Sequence, residues 1–148
     1  MAIRLSTATL SEPFEYISLH DDALDTERED FADEFQRYRD GQAPPPLKPG
    51  VEPTRWTLEP ITDARLKAML EGVREEHGRT MWFLATAAVG VTGVSGLSDE
   101  RGRPFKLKRP RSSDGYPTMS HEQQDQIGAQ ILAELGMAII THNIPSPS

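Results

Sequence analysis

The chain has 148 residues, a net charge of −7 at pH 7, 36% hydrophobic residues and no cysteine. This length corresponds to about one domain, and the lack of cysteine excludes disulfide bonds and thiolate-bound metals. The negative charge disfavours general affinity for nucleic acid, and no apolar run approaches the roughly 18 residues that span a bilayer, so we expect an intracellular protein without a membrane partner.

The N-terminal residues are strongly acidic. Residues 1–40 contain eleven Asp or Glu against four Lys or Arg. Alternating apolar residues near Phe14 and Tyr16 indicate a strand or an extended segment. Acidic residues begin the stretch 25–39 and arginines end it, which complements a helix dipole and predicts a helix there. This helix would carry an aromatic stripe made of Phe31, Phe35 and Tyr38.

A proline-rich segment follows the acidic residues. Residues 43–53 contain five prolines and are predicted to be an extended linker, because proline fixes φ and lacks a backbone donor. Residues 54–59 then alternate in the manner of a strand. Two helices are predicted over 62–77 and 80–89, separated by Gly78. The second helix is apolar nearly all round, which predicts a central position.

The C-terminal half combines turns with one predicted helix. We predict two short strands around Leu97 and Phe105, joined by a turn, and a loop over 108–118. Ser120 is followed three residues later by a glutamine, which has the form of a capping box. The pattern predicts one helix from there to about Thr141.

These elements predict an α+β fold with a small antiparallel sheet and three to four helices, preceded by an acidic helical arm. The predicted boundaries are an acidic arm over 1–42, a Pro-rich linker over 43–53, a main α+β domain over 54–142 and a loose tail over 143–148.

Three glycines, Gly90, Gly93 and Gly96, recur at intervals of three residues. Their spacing differs from the dinucleotide fingerprint, from the Walker pattern and from the nucleophile elbow. Glycine is unfavourable inside a helix, so we interpret them as marking a helix end or a face where another backbone packs closely. Ligand binding is the lesser alternative.

The titratable residues show no spacing that chemistry would require. None of the four histidines stands at a zinc-binding interval. The acidic run 21–30 lacks the glycine and the ligand spacing of a calcium loop. We therefore predict no catalytic residue, no metal site and no cofactor.

A basic segment is the best candidate for a binding surface. Residues 101–111 contain six Lys or Arg and no acidic residue, namely Arg101, Arg103, Lys106, Lys108, Arg109 and Arg111. Apolar and basic residues alternate over 105–108, as on a strand with one buried face. Three interpretations remain open: protection of a sheet edge, binding of an acidic protein partner, and binding of nucleic acid.

Several sequence phrases occur in a recognisable order over about residues 43–141. A Pro-rich approach leads to the strand phrase 53–62, the glycine phrase 91–97, the turn 99–105 and a helix that ends with 134–139. In this order the chain resembles tail assembly chaperone-like proteins, small morphogenesis proteins of long-tailed bacteriophages.

The resemblance implies a non-enzymatic protein of the host cytoplasm that binds tail or capsid subunits, with retention in the virion and homo-oligomerisation left open. The residues predicted to contact a partner are Phe31, Phe35, Tyr38, Gly90, Gly93, Gly96, Arg101, Arg103, Lys106, Lys108, Arg109 and Arg111. The alternative is a small nucleic-acid-associated or regulatory domain that uses residues 101–111.

Overall fold

The computed structural model describes residues 12–142, which form five helices and a three-stranded antiparallel sheet. This is the predicted α+β class. The strands, in sheet order, are β1 (Phe14–Tyr16), β2 (Arg55–Leu58) and β3 (Val91–Ser95). The helices are α1 (Phe31–Arg39), α2 (Ala64–His77), α3 (Arg79–Gly90), α4 (His121–Ile127) and α5 (Ala129–His142). The predicted tail over 143–148 lies outside the described residues.

The sheet buries one face. Along β2, Trp56 and Leu58 are buried while the residues between them are partly exposed. The register places Tyr16 and Val94 on either side of Trp56. Because side chains alternate across a strand, these residues share one face of the sheet and line the core.

Helices α3 and α5 cross at the centre of the core. A Cβ atom added at Gly136 of α5 would overlap the backbone carbonyl of Phe83 in α3, so the two helices approach at backbone distance. The residues of α3 from Thr86 to its end are buried, which confirms the predicted central position of this helix. Its first turn is more open, and Met81 is 48% exposed.

The residues predicted as an N-terminal arm contact the rest of the protein. Strand β1 pairs with β2, and Leu24 forms an isolated bridge with Leu47 of the proline-rich segment. A second, small apolar cluster contains Ile17, Leu24 and Phe35. The N-terminal region therefore has its own small core and also shares the sheet with the main domain.

The first predicted helix is shorter than expected. Residues 25–30 form turns, and α1 begins only at Phe31. The backbone N–H of Asp25 donates to the carbonyl of Pro46 at 2.9 Å, and the N–H of Arg28 donates back to Asp25 at 3.3 Å. Residues 25–31 are thus linked by i→i−3 bonds of turns, such as Phe31 N–H to the Arg28 carbonyl at 3.1 Å, in place of the i→i−4 bonds of an α-helix.

The C-terminal predictions need two further corrections. The single helix predicted from Ser120 is divided into α4 and α5 by Gly128, whose φ of 94° lies outside the helical region. The two strands predicted around Leu97 and Phe105 are reduced to an isolated bridge between Ser98 and Pro104. The chain nevertheless doubles back here, because the Phe105 N–H donates to the Leu97 carbonyl at 2.8 Å.

Candidate protein-binding surface

Asp99 builds the turn that presents the first two basic side chains. Its Oδ1 accepts hydrogen bonds from the backbone N–H groups of Arg101 and Arg103, each at 2.9 Å. Its Oδ2 lies 3.6 Å from the Nε of Arg103. A short acidic side chain that bonds to nearby backbone donors is a common way to stabilise a turn. Arg101 and Arg103 thus extend into solvent from an ordered backbone.

Gln123 holds the next part of the basic segment in place. Its side-chain Oε1 accepts from the Lys108 N–H at 2.6 Å, and its Nε2 donates to the Lys106 carbonyl at 2.7 Å. The predicted capping box is therefore half formed: Ser120 accepts from the Gln123 N–H at 3.3 Å, but the Gln123 side chain does not return to Ser120. Gln123 is only 6% exposed, so a single buried amide sets the path of the extended segment.

The side chains along this segment alternate as predicted. Phe105 and Leu107 are partly buried, and Leu107 packs against the core. Lys106 and Lys108 are exposed on the opposite side. A strand rises about 3.3 Å per residue, so the two lysines emerge about 7 Å apart on one face.

The last two predicted basic residues each donate to a backbone carbonyl of the protein; Arg109 is partly buried, whereas Arg111 is exposed. The Nη2 of Arg109 donates to the Val89 carbonyl at 2.6 Å, close to the end of α3. The Nη1 of Arg111 donates to the Gly115 carbonyl at 2.6 Å and closes the following loop. We restrict the candidate surface to the exposed basic residues whose side chains bond to no backbone carbonyl among residues 12–142, called the basic row from here on: Arg101, Arg103, Lys106 and Lys108.

A shallow groove lies beside the basic row. It has a volume of about 620 Å³. Apolar residues that contribute to it are Trp56, Leu97, Phe105, Ile127 and Ile131. Polar and charged residues that contribute to it are Ser98, Asp99, Glu100, Arg101, Arg103, Glu122 and Gln126. Apolar residues and charges of both signs thus line the same groove, a composition that resembles a protein interface more than a phosphate site.

The predicted aromatic stripe does not join this surface. Phe35 is 2% exposed and packs in the N-terminal cluster, with Phe31 and Tyr38 beside it. The Tyr38 hydroxyl accepts a hydrogen bond from the Ile17 N–H at 2.8 Å, and burial raises the pKa of Tyr38. In the structure these three side chains stabilise the fold of the N-terminal region.

The three glycines permit close packing. A Cβ at Gly90 would lie 2.5 Å from the Cδ1 of Ile139, and one at Gly96 would lie 2.5 Å from the Pro53 carbonyl oxygen. Gly96 also has a φ of 77°, a conformation that favours glycine. Gly93 sits in β3 at ordinary contact distance from the Thr57 side chain. These positions match the packing interpretation of the glycine phrase.

A buried carboxylate was missed by the sequence reasoning. Glu134 is 7% exposed and accepts three hydrogen bonds: from the Tyr16 hydroxyl at 2.7 Å, the Ser18 hydroxyl at 2.6 Å and the Leu19 N–H at 2.7 Å. Burial, and then the bond to Glu134, raise the pKa of Tyr16. The sequence did contain a signal for both polar residues. Gln123 lies four residues before Ile127, and Glu134 lies three residues after Ile131, so both fall on the apolar stripe of the helix predicted from Ser120.

Searches of the structure and of known proteins give no chemical assignment. Within residues 12–142, no group of three or more His, Cys, Asp or Glu side chains could hold a metal ion. No helix in that same part of the chain is long and apolar enough to cross a membrane. Comparison with protein-family models, with curated proteins and with solved structures finds no match.

Proposed function

We propose that this protein is a non-enzymatic bacteriophage morphogenesis protein that binds tail or head subunits, as a tail assembly chaperone or a minor virion component. The observation that carries the proposal is the basic row, which Asp99 and Gln123 hold in a defined arrangement beside a groove lined by apolar residues and by charges of both signs. Apolar and charged residues in one ordered surface are the usual composition of a protein-binding site.

The acidic neighbours of the basic row favour a protein over nucleic acid. Asp99, Glu100 and Glu122 line the same groove as Arg101 and Arg103. These carboxylates would repel phosphates, and the net charge of −7 adds to that repulsion. Charges of both signs instead suit a protein surface of mixed charge.

The titratable groups support a binding role over catalysis. Within the described residues, the groups with a clearly shifted pKa are Tyr16, Tyr38 and His142, and none of them lines the groove. Both tyrosines already make hydrogen bonds within the fold. Tyr16 and Tyr38 lie side by side, with ring centroids 6.2 Å apart, and burial within the fold is the main cause of the raised pKa of each, so these shifts do not mark the groove as a catalytic cleft.

The assignment to phage morphogenesis rests on the order of sequence phrases described above. In the structure those phrases correspond to β2, to β3, to the turn at Asp99 and to α5. They are the elements that build the core and present the basic row, so the resemblance concerns the framework of the candidate surface.

Affinity capture of the tagged full chain from the cells that naturally produce it, followed by mass spectrometry, tests the proposal. We expect tail or capsid subunits to be recovered, and we expect Lys106→Glu/Lys108→Glu to lose them. Arg65→Glu/Lys67→Glu is the matched control, because both residues are exposed on α2 and the charge change is the same. Recovery of nucleic acid that disappears with salt, or turnover of a substrate by the homogeneous protein, would contradict the proposal.

A further inference from the structure

The segment that carries Lys106 and Lys108 has two different backbone edges. On one edge, the Lys106 carbonyl and the Lys108 N–H bond to Gln123, and the Lys108 carbonyl accepts from the Ser120 N–H at 3.2 Å. On the other edge, the Phe105 N–H donates to the Leu97 carbonyl at 2.8 Å, whereas the N–H and carbonyl of Leu107 and of Arg109 have no hydrogen-bond partner among residues 12–142. One edge is therefore satisfied and the other is open in the described part of the chain.

An open edge of this kind can accept a further strand. Backbone polar groups that are buried are almost always paired, so the open groups of Leu107 and Arg109 require water or a partner. Peptide recognition by strand addition uses such groups, because an extended peptide supplies the complementary N–H and carbonyl groups in register. The segment is already extended and held by Gln123, which reduces the entropy that binding must overcome.

The charges beside this edge indicate the partner. Lys106 and Lys108 are exposed on one face and line a pocket with Arg103, Asp99 and Glu122, so basic side chains outnumber acidic ones there by three to two. An extended peptide with acidic residues at alternate positions would place its carboxylates about 7 Å apart, the same interval as the two lysines. Opposite charges on neighbouring strands stabilise the pairing.

We propose that residues 106–109 form a strand-addition site for an extended acidic segment of a partner protein. This inference rests on the proposed function as a binding protein, and it names the chemistry of the segment that the basic row recognises. Backbone hydrogen bonds to Leu107 and Arg109 provide the affinity, and Lys106 and Lys108 select acidic over neutral sequences.

Two other roles for the same residues give different results. Lysines on an open edge also prevent edge-to-edge aggregation, and in that case no peptide would bind. Phosphates of nucleic acid would contact the lysines without using the backbone edge, with an affinity that falls steeply with salt.

The test is a titration of the full chain with a short capped peptide in which glutamate and threonine alternate, monitored by calorimetry. We expect saturable binding that weakens at least about tenfold in Lys106→Glu/Lys108→Glu and stays within about twofold in Arg65→Glu/Lys67→Glu. An N-methylated version of the peptide keeps the charges but removes backbone donors, and we expect it to bind at least about tenfold more weakly.

Equal binding of the N-methylated peptide would overturn strand addition, and so would tighter binding of an oligothymidine than of the peptide. Absence of peptide binding, together with aggregation of Lys106→Thr/Lys108→Thr, would assign the lysines to edge protection. Self-association of the unmodified chain that the charge reversal abolishes would replace the proposed partner with a second copy. If cellular capture recovers phage subunits in any of these cases, this inference fails while the proposed function stands.

Discussion

Two regions of the molecule are held together by different means. Where α3 crosses α5, the contact is backbone against backbone, and the glycine at position 136 leaves no room for another atom. Elsewhere, single buried polar side chains hold a neighbouring segment: Glu134 holds residues 16–19, and Gln123 holds residues 106–108. The first kind of contact is apolar and continuous, and the second is polar and local.

Because of this difference, the stability of the core and the order of the binding surface can be changed independently. A packed helix crossing contributes to the whole core, so a defect there lowers the free energy of unfolding globally. A polar attachment orders one segment, and its loss leaves the rest of the core in contact. The basic row depends on an attachment of the second kind, which allows its role to be tested in a folded protein.

The largest effect is expected at the helix crossing. Gly136→Ala should lower the free energy of unfolding by about 3 kcal/mol or more, because the new Cβ would overlap the Phe83 carbonyl and force the helices apart. Gly72→Ala in α2 is the control, since nothing lies within 4 Å of its new Cβ, and it should stabilise the helix by up to about 1 kcal/mol. Urea denaturation measures both, and equal stabilities of the two variants would contradict the packing account.

A smaller loss is expected when the buried carboxylate is altered. Glu134→Gln should lower the free energy of unfolding by about 2–3 kcal/mol. The amide nitrogen cannot accept a hydrogen bond, and the remaining hydrogen bonds no longer involve a charged acceptor. Glu75→Gln, at an exposed position of α2, should change stability by less than about 0.5 kcal/mol. If thermal unfolding shows no difference between the two variants, Glu134 does not anchor residues 16–19.

Removal of the Gln123 side chain, which holds the basic segment, should lower the free energy of unfolding by a still smaller amount. Gln123→Ala deletes two hydrogen bonds to the backbone at Lys106 and Lys108, for a loss of about 1–2 kcal/mol. Gln130→Ala, which changes an exposed residue of α5, serves as the control and should be close to neutral. A cost at Gln123 above that of Glu134→Gln would contradict the local character of this attachment.

The smallest effect is expected on the free energy of unfolding at alkaline pH. Because burial raises the pKa of Tyr16 in the fold, the unfolded chain loses this proton first, above its ordinary pKa of about 10. The stability linked to Tyr16 is thus complete below pH 10 and is lost as the pH rises further. Tyr16→Phe should unfold with a shallower dependence on pH above 10, which equilibrium denaturation at several pH values would measure. An unchanged slope would contradict the burial of this hydroxyl.

Local sequence signals predicted the elements whose ends depend on nearby residues. Gly78 separates α2 from α3 as expected, and Ser120 caps α4. The first part of the helix predicted over 25–39 is formed instead by turns with i→i−3 bonds, such as Arg28 N–H to the Asp25 carbonyl, and charge patterning does not distinguish such turns from a first helical turn. Gly128 was overlooked because apolar spacing continues on both sides of it while its positive φ divides the helix.

The candidate surface was predicted only in part. Alternation over 105–108 correctly separated the exposed lysines from the partly buried residues. Which arginines remain available depends on acceptors far along the chain, such as the Val89 carbonyl that binds Arg109. The roles of Gln123 and Glu134 depend on tertiary contacts. The sequence indicated these roles only through the position of both residues on an apolar stripe.

Amide hydrogen exchange of Gln123→Ala beside the unmodified protein tests most directly whether one local clamp orders the binding segment. We predict faster exchange at the Lys108 N–H, which loses its acceptor, and at the Ser120 N–H, which donates to the Lys108 carbonyl. Amides at the crossing of α3 and α5 should keep their relative protection. Uniformly faster exchange throughout the core, or unchanged exchange at Lys108, would contradict the account.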